Sequence, residues 1–126
     1  MVNIPKQIDY WRMLAGEDWP VGVKLVREGH IRQGLFFVHL ALEKALKAHV
    51  CRAIQDIAPR THDLVGLARR AELDLSQEQL HLLNEVTSFN LQGRYPERLL
   101  PAPPRAEAAR AVKEAEEIFQ WLMRQL

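Results

Sequence analysis

Features that are typical of disulfide-bonded, membrane-spanning and duplex-binding proteins are absent from the sequence. Its 126 residues include one cysteine, Cys51, which excludes an internal disulfide and is typical of a buried side chain in a reducing compartment. No apolar run approaches the roughly 18 residues of a membrane span, and the N-terminus lacks the charged start and long apolar middle of a signal peptide. A formal net charge of +1 provides no broad basic field for capturing a nucleic-acid duplex. We therefore expect a soluble cytoplasmic protein without membrane contact, whose contact with any nucleic acid is local.

The strong catalytic and metal-binding motifs are absent as well. There is no glycine-rich phosphate loop, no CxxC pair, no HExxH and no GxSxG. The five histidines stand singly along the chain. His39 and Glu43, spaced i, i+4, could hold one edge of a metal ion, but the spacing supplies no third or fourth ligand. We expect neither a metal nor a cofactor.

Apolar residues recur at helical spacing along most of the chain, and no segment shows the alternation typical of a strand. Helices are predicted over residues 6–28, 31–54 and 77–91, in a short segment that starts at Thr61, and from about Pro104 to the C-terminus. Short connections between long amphipathic helices place neighbours antiparallel. The sequence thus predicts an all-α fold, an antiparallel up-and-down bundle of four long helices plus one short helix, as a single domain over residues 1–126.

The helix predicted at residues 31–54 is apolar on nearly all sides, which is typical of the central helix of a bundle. Three of its few polar residues, His39, Glu43 and Lys47, follow one another at i, i+4. At that spacing side chains lie above one another on a helix surface, so the three form one stripe. A buried central helix that carries a polar stripe is the main structural prediction for this segment.

Phe36, Phe37 and Leu40 of the same helix point away from its core-facing arc. Large apolar side chains on such an arc commonly mark contact with another protein. We expect these three to be exposed in the isolated chain and to form the interface of a homodimer, of a higher homo-oligomer or with another partner. One hypothesis for the whole domain is therefore a protein-interaction module.

Two features of the first predicted helix depart from a regular pattern. Pro20 lies inside it and removes one backbone hydrogen bond, so we expect a kink or a short break between Gly16 and Pro20. Asp18 shares the apolar face with Trp11 and Leu25, where a carboxylate needs a partner. Its role stays open between an ion pair that links two helices and a site residue that faces a cleft.

Start signals precede the third and fourth helices. Thr61 is the predicted N-cap of the short helix, with His62 and Asp63 in its first turn, where a negative charge meets the positive end of the helix dipole. Ser76 followed by Gln79 is a capping box, in which each side chain binds the backbone N–H of the other residue. This pattern predicts that the fourth helix begins at residue 77.

The end of the fourth helix gathers polar groups that suit a phosphate-bearing ligand. Asn90 is followed by Arg94, Tyr95 and Pro96. An arginine on a proline-braced turn offers a bidentate fork for phosphate, and a tyrosine offers a ring for base stacking and a hydroxyl donor. The alternative, which spacing alone favours, is that Arg94 caps the last carbonyls of its helix while Tyr95 packs on the bundle.

Four segments together resemble the HEPN domain family of small prokaryotic helical proteins. They are the first helix with Trp11, Ala15 and Asp18, the HLALEKALKA at 39–48, the THDL at 61–64 and the RYP at 94–96. The resemblance covers nearly the whole chain and implies an all-α bundle that typically dimerises. It also implies a nucleotide or RNA as the ligand and a small nucleotidyltransferase as the partner in a toxin–antitoxin pair.

The sequence departs from the pattern of the RNases in that family. Many members are metal-independent RNases that carry an arginine and, shortly after it, a histidine near the start of the last long helix. No histidine follows His81 here, so that motif is missing. Asn90 and the Arg94-Tyr95-Pro96 run resemble the RYP subgroup of the family instead.

The missing histidine has a chemical consequence. RNA cleavage without a metal needs a base for the 2′-hydroxyl proton, an acid for the leaving oxygen and a cation to steady the phosphorane. Arg94 can supply only the cation. Cleavage would therefore have to recruit His39 or His62 from another part of the bundle, or Tyr95 as an acid or hydrogen-bond donor.

We interpret the chain as a nucleotide- or RNA-binding protein, or the partner subunit of a small nucleotidyltransferase, with a metal-independent RNase as the alternative. In either function Arg94 would hold phosphate, Tyr95 would stack or donate a hydrogen bond, and Asn90 would orient the arginine or read a polar edge. Further candidates for the same site, implied partly by the resemblance, are Asp18, His39, Glu43, Lys47 and His62.

Overall fold

The computed structural model of the protein describes residues 2–94 and 101–126, with side chains in the fourth helix as far as Asn90. Within these ranges the chain forms five helices and no strand. They are α1 (Ile4–Arg27), α2 (Ile31–Ile54), α3 (Leu64–Arg70), α4 (Gln77–Arg94) and α5 (Arg105–Arg124). No helix in the described ranges is long and apolar enough to cross a membrane. The predicted all-α fold is confirmed.

Contacts between helix ends establish the up-and-down order of the bundle. The turn between α1 and α2 places Gly29 at a φ of +92°, a left-handed conformation that glycine adopts without strain. The chain reverses there, so that Trp11, early in α1, lies against Lys47, late in α2. The helices α1 and α5 are also antiparallel, because Arg105 at the start of α5 donates to the carbonyl oxygen of Arg27 at the end of α1, whereas Phe119 late in α5 stacks on Trp19 earlier in α1.

The helix α2 is the centre of the bundle and packs against each of the other four helices. Many of its apolar side chains, among them Leu42 and Leu46, are fully buried, and Cys51 is buried with them. Burial raises the pKa of the Cys51 thiol, so the side chain is a small apolar core residue rather than a reactive thiolate. The predictions of a buried central helix and a buried cysteine are confirmed.

Two glycines fix α1 against α2 at close range. A Cβ on Gly22 would lie 2.8 Å from the backbone nitrogen of Val38, and a Cβ on Gly34 would lie 2.6 Å from the backbone nitrogen of Val26. The two backbones therefore touch at this crossing, and any side chain there would force them apart. This contact sets the register that places Trp11 and Asp18 of α1 beside α2.

The structure corrects two predictions about helix boundaries. Pro20 lies inside α1, and the helix continues through it, so the short break is wrong and the kink stays a prediction. The N-cap of α3 is Asp63 rather than Thr61, because the Thr61 hydroxyl accepts a hydrogen bond from the Asp63 N–H at 3.2 Å and closes a turn before the helix. His62 and Asp63 thus precede α3 and do not form its first turn.

The predicted capping box of α4 is confirmed. The Ser76 N–H donates to Gln79 Oε1 at 2.8 Å, and the Gln79 N–H donates to Ser76 Oγ at 3.1 Å. Two backbone donors at the helix start are satisfied by this exchange. The helix then extends to Arg94, three residues beyond the predicted end at 91.

Phe36, Phe37 and Leu40 are partly buried, so the exposure predicted for them is wrong. The rings of Phe36 and Phe37 shield one another in an edge-to-face contact, with centroids 6.2 Å apart and planes at 88°. Large apolar side chains that are more exposed lie on α1, where Tyr10 and Met13 are 52% and 53% exposed. An interface through Phe36, Phe37 and Leu40 stays a prediction.

Candidate functional site

The polar stripe of α2 is buried. His39, Glu43 and Lys47 are 0%, 4% and 7% exposed. Charged groups are costly to remove from water unless each finds a partner. The stability of this stripe therefore depends on the groups around Glu43. The partners of Glu43 come from separate segments of the chain.

Both carboxylate oxygens of Glu43 are engaged. Its Oε1 accepts a hydrogen bond from His62 Nδ1 at 2.7 Å, and its Oε2 accepts one from Lys47 Nζ at 3.1 Å. The residues His39, Glu43, Lys47 and His62 are called the Glu43 cluster below. Sequence spacing predicted the three that lie on α2 as one stripe, and the structure adds His62 from the segment before α3.

The helix α1 contributes an aromatic ring to the Glu43 cluster. Lys47 Nζ lies 5.2 Å from the centroid of the Trp11 ring, within the range of a cation–π contact. The ammonium is thus held between a carboxylate and an aromatic face. Sequence reasoning assigned Trp11 to the apolar face of α1, and no spacing signal linked it to a lysine on another helix.

His39 fixes the backbone next to the cluster. Its Nε2 donates to the carbonyl oxygen of His62 at 2.9 Å, and its Nδ1 lies 3.8 Å from Glu43 Oε1. A carbonyl oxygen only accepts, so Nε2 is the ring nitrogen of His39 that carries the proton in this bond. Two residues of one α2 face therefore hold His62, His39 by its backbone and Glu43 by its ring.

His62 is the member of the cluster that reaches the surface. Its side chain is 44% exposed, whereas the side chain of Glu43 beside it is 6% exposed. Since Nδ1 is bound to Glu43, Nε2 is the ring nitrogen that this bond leaves for a ligand. The arrangement is an imidazole at the protein surface, oriented from behind by a buried carboxylate.

The face of α4 that meets the start of α3 carries the other predicted site residues. The Leu64 N–H, at the start of α3, donates to Thr87 Oγ1 of α4 at 3.3 Å. Asn90 is buried and lies one turn further along α4. Arg94 ends this helix and lies about two turns, roughly 10 Å, beyond Thr87 on nearly the same face. The side chain of Arg94 and all of Tyr95 lie outside the described residues.

Asp18 belongs to a separate contact between α1 and α2. Its carboxylate accepts a hydrogen bond from Lys44 Nζ at 2.5 Å, and both side chains are partly exposed. Lys44 lies about 100° around the helix from Glu43, and the carboxylate of Asp18 is bound to Lys44 rather than to a member of the Glu43 cluster. Of the two roles left open for Asp18, the structure supports the ion pair between helices.

A groove between α4 and α5 is a poor match for phosphate. It is lined by several carboxylates, and its arginine, Arg110, is engaged by Glu85 at 2.8 Å and by Glu114 at 2.7 Å. A ligand phosphate would compete with both of these carboxylates. In residues 2–94 and 101–126, no group of three or more histidine, cysteine or acidic side chains is placed to hold a metal ion.

The fold and the Glu43 cluster define a small helical bundle that holds an imidazole over a buried ion pair. The family model of the HEPN domain matches residues 8–126, and the chain belongs to that family. The predicted family is thereby confirmed. No curated protein matches the sequence.

Solved structures share the fold at low sequence identity. TT1696 from Thermus thermophilus superposes with a TM-score of 0.77 at 19% identity, covering 95% of this chain and 98% of that chain. ST0689, an archaeal HEPN homologue, superposes with a TM-score of 0.69 at 20% identity, covering 94% of this chain and 96% of that chain. At these identities the similarity establishes a common bundle and leaves the ligand to be argued from the site.

Proposed function

We propose that this HEPN protein binds a nucleotide or RNA where α2, the segment before α3 and the end of α4 meet. The observation that carries the proposal is the exposed ring of His62, fixed by the buried Glu43 and Lys47. A buried ion pair is retained in a small core at a cost in desolvation, and here it orients one surface group. The family resemblance supports a nucleotide or RNA as the ligand class.

The end of α4 supplies the groups for phosphate and base in this proposal. Arg94 is the last residue of α4 and lies on nearly the same helix face as Thr87. Thr87 contacts the start of α3, which directly follows His62 and Asp63. A guanidinium there would bind a phosphate with two parallel hydrogen bonds. Tyr95 would stack on a base, and Asn90 would orient the arginine or read a polar edge.

Binding is tested by titrating a fluorescently labelled mixed-sequence RNA, and separately a nucleoside monophosphate, into the purified protein. We expect Arg94→Ala to weaken binding at least tenfold, as the loss of a charge-assisted contact implies. Arg110→Ala is the matched control, because that guanidinium is already engaged by Glu85 and Glu114. Equal binding by wild type and Arg94→Ala would contradict the role given to Arg94, and no binding by wild type would contradict the function.

A metal-independent RNase is the second candidate, favoured by one observation. His62 offers a carboxylate-oriented imidazole, a group that can take the 2′-hydroxyl proton in place of the missing motif histidine. The 2′-oxygen would then attack phosphorus, the bond to the 5′-oxygen would break, and the leaving oxygen would take a proton from Tyr95 or water while Arg94 steadies the charge. Incubating RNA with wild type, Arg94→Ala and His62→Ala in EDTA tests this. Cleavage by wild type alone supports the RNase, and cleavage by none contradicts it.

The proposal extends to a partner. Following the family resemblance, the protein would pair with a small nucleotidyltransferase in a toxin–antitoxin system and dimerise through Phe36, Phe37 and Leu40. Affinity purification of the tagged protein from its own cells tests the first part, and copurification of a small nucleotidyltransferase is the expected result. For the second part, we expect Phe36→Asp to change the mass measured by light scattering from dimer to monomer, whereas Arg110→Ala leaves it unchanged.

A further inference from the structure

We infer that His62 recognises a ribose 2′-hydroxyl through Nε2, acting as a hydrogen-bond acceptor in a tautomer imposed by Glu43. This inference rests on the proposed nucleotide- or RNA-binding function and specifies its substrate class as ribonucleotide rather than deoxyribonucleotide. It assigns different polar groups of the site to the sugar and to the phosphate of the ligand. His62 binds the sugar, and the phosphate is left to Arg94, as in the proposed function.

The tautomer follows from the donors around Glu43. The Lys47 ammonium has three donors and no acceptor, and it donates a hydrogen bond to Glu43 Oε2. An ionised carboxylate accepts and cannot donate, so the His62 Nδ1 that lies 2.7 Å from Oε1 carries the proton. A neutral imidazole has one ring proton, and Nε2 therefore presents a lone pair.

The imidazole is held in place before a ligand arrives. Glu43 fixes the ring of His62 by its Nδ1, and His39 fixes the carbonyl of the same residue at 2.9 Å. His39 is fully buried, so it is a positioning residue and does not touch the ligand. A group held by both its ring and its backbone loses little freedom on binding, which strengthens each hydrogen bond that it makes.

An acceptor at Nε2 selects among the groups of a nucleic acid. Phosphate oxygens are acceptors and do not bind to a lone pair, whereas a 2′-hydroxyl can donate to it. The 2′-hydroxyl is also the group that separates RNA from DNA at a given position. The Glu43 cluster thus predicts that this protein binds a ribo-oligonucleotide more tightly than the deoxy-oligonucleotide of the same sequence.

The test compares the affinities of one mixed-sequence RNA and its DNA equivalent for wild type and Glu43→Gln. In this variant Lys47 still needs an acceptor, so the new amide turns its oxygen to Lys47 and its NH₂ to His62 Nδ1. The ring proton must then move to Nε2, which becomes a donor. We expect the preference of wild type for RNA to be about tenfold, the size of one good hydrogen bond, and to vanish in Glu43→Gln.

Two further measurements keep this test decisive. Glu85→Gln is the matched control, because it neutralises an acid bound by Arg110 in the groove between α4 and α5 and should leave the RNA preference intact. Nitrogen-15 NMR of the wild-type His62 ring reports the tautomer directly, even where Glu43→Gln does not fold. The expected spectrum has a protonated Nδ1 and an unprotonated Nε2, and its Nε2 signal shifts when the RNA is added.

The outcomes separate this inference from the function on which it rests. Equal affinity of wild type for RNA and DNA would leave the binding function standing and overturn the role of His62. A ring protonated at Nε2, alone or together with Nδ1, would do the same, as would a preference for RNA that survives in Glu43→Gln. No binding of either oligonucleotide would overturn the binding function and the inference together.

Discussion

Two sets of hydrogen bonds made by histidines of the central helix α2 differ in whether they lead to an exposed side chain. In the Glu43 cluster, hydrogen bonds from α2 lead to His62, whose side chain is 44% exposed. Further along α2, His49 Nε2 donates to the Leu122 carbonyl oxygen of α5 at 2.9 Å, and its Nδ1 lies 3.2 Å from Arg52 Nη2. The second set, His49 with Arg52 and Leu122, is called the His49 contact below.

The exposure of the last group in each set distinguishes a structural polar contact from a site. The His49 ring is buried between two helices and bonds a backbone carbonyl, so it joins α2 to α5 and presents no ring nitrogen to a ligand. The Glu43 cluster also joins segments, but it uses an ion pair to orient a ring at the surface. A buried polar network indicates function where it terminates at an exposed group that can bind or transfer a proton.

The largest expected effect on stability comes from removing the partner of the buried Lys47 ammonium. Glu43→Leu removes the carboxylate that pairs with a buried ammonium, so the free energy of unfolding should fall by about 3–5 kcal/mol in urea denaturation. The double variant with Lys47→Met removes both charges and should recover most of that loss. Equal stability of the single and double variants would show that the ion pair does not hold the cluster together.

The next largest effect on stability comes from removing the His49 contact. His49→Ala leaves a cavity between α2 and α5 and an unsatisfied carbonyl at Leu122, so we expect a loss of about 2–3 kcal/mol in the free energy of unfolding. RNA affinity, measured where the variant is still folded, should equal that of wild type. A loss of affinity would mean that the His49 contact is part of the site, and the contrast between the two regions would fail.

A smaller effect appears as a dependence of stability on pH. Burial lowers the pKa of His49 below its ordinary value of 6.5, and the charge of Arg52 acts in the same direction, while the bond to Leu122 opposes both. The unfolded state then binds a proton more readily than the folded state. Stability from this group is therefore complete above pH 6.5 and is lost as the pH falls below it.

Urea denaturation across about pH 5 to 8, a range set by ordinary histidine titration, checks this expectation. His49→Gln should reduce the decrease in stability on the acid side, because the titrating ring is gone. His81→Gln, at an exposed position of α4, is the matched control and should retain it. An unchanged acid profile in His49→Gln would assign the dependence to other groups.

The smallest effect concerns the ion pair between α1 and α2. Lys44→Met leaves Asp18 without its partner, but both side chains are partly solvated, so the cost in unfolding free energy should be about 0.5–1 kcal/mol. RNA affinity should not change. A loss of RNA affinity would place Asp18 in the site, the role that sequence reasoning left open and that its geometry does not support.

The bounds of α2 were predictable because local backbone chemistry sets them. Gly29 takes a left-handed conformation before the helix, and Gln55 takes one directly after it, so the helix cannot extend beyond either residue. The capping box of α4 was predictable for the same reason. The start of α3 was missed because the Thr61 hydroxyl can serve either a helix or a turn, and here it serves the turn.

The candidate site was predictable only in part. The i, i+4 spacing placed His39, Glu43 and Lys47 on one stripe, since helix geometry fixes that relation. The contact with His62 depends on how the segment after α2 folds back, and no local pattern encodes that path. The predictions for Arg94 and Tyr95 concern groups outside the described residues and stay predictions.

The measurement that tests the contrast most directly is the RNA affinity of His62→Gln beside that of His49→Gln, with folding of both checked by circular dichroism. We predict that the first variant stays folded and loses about tenfold in affinity, whereas the second loses stability and binds RNA as wild type does once folded. Wild-type affinity in His62→Gln, or an equal loss in both variants, would contradict the assignment of the Glu43 cluster as the ligand site.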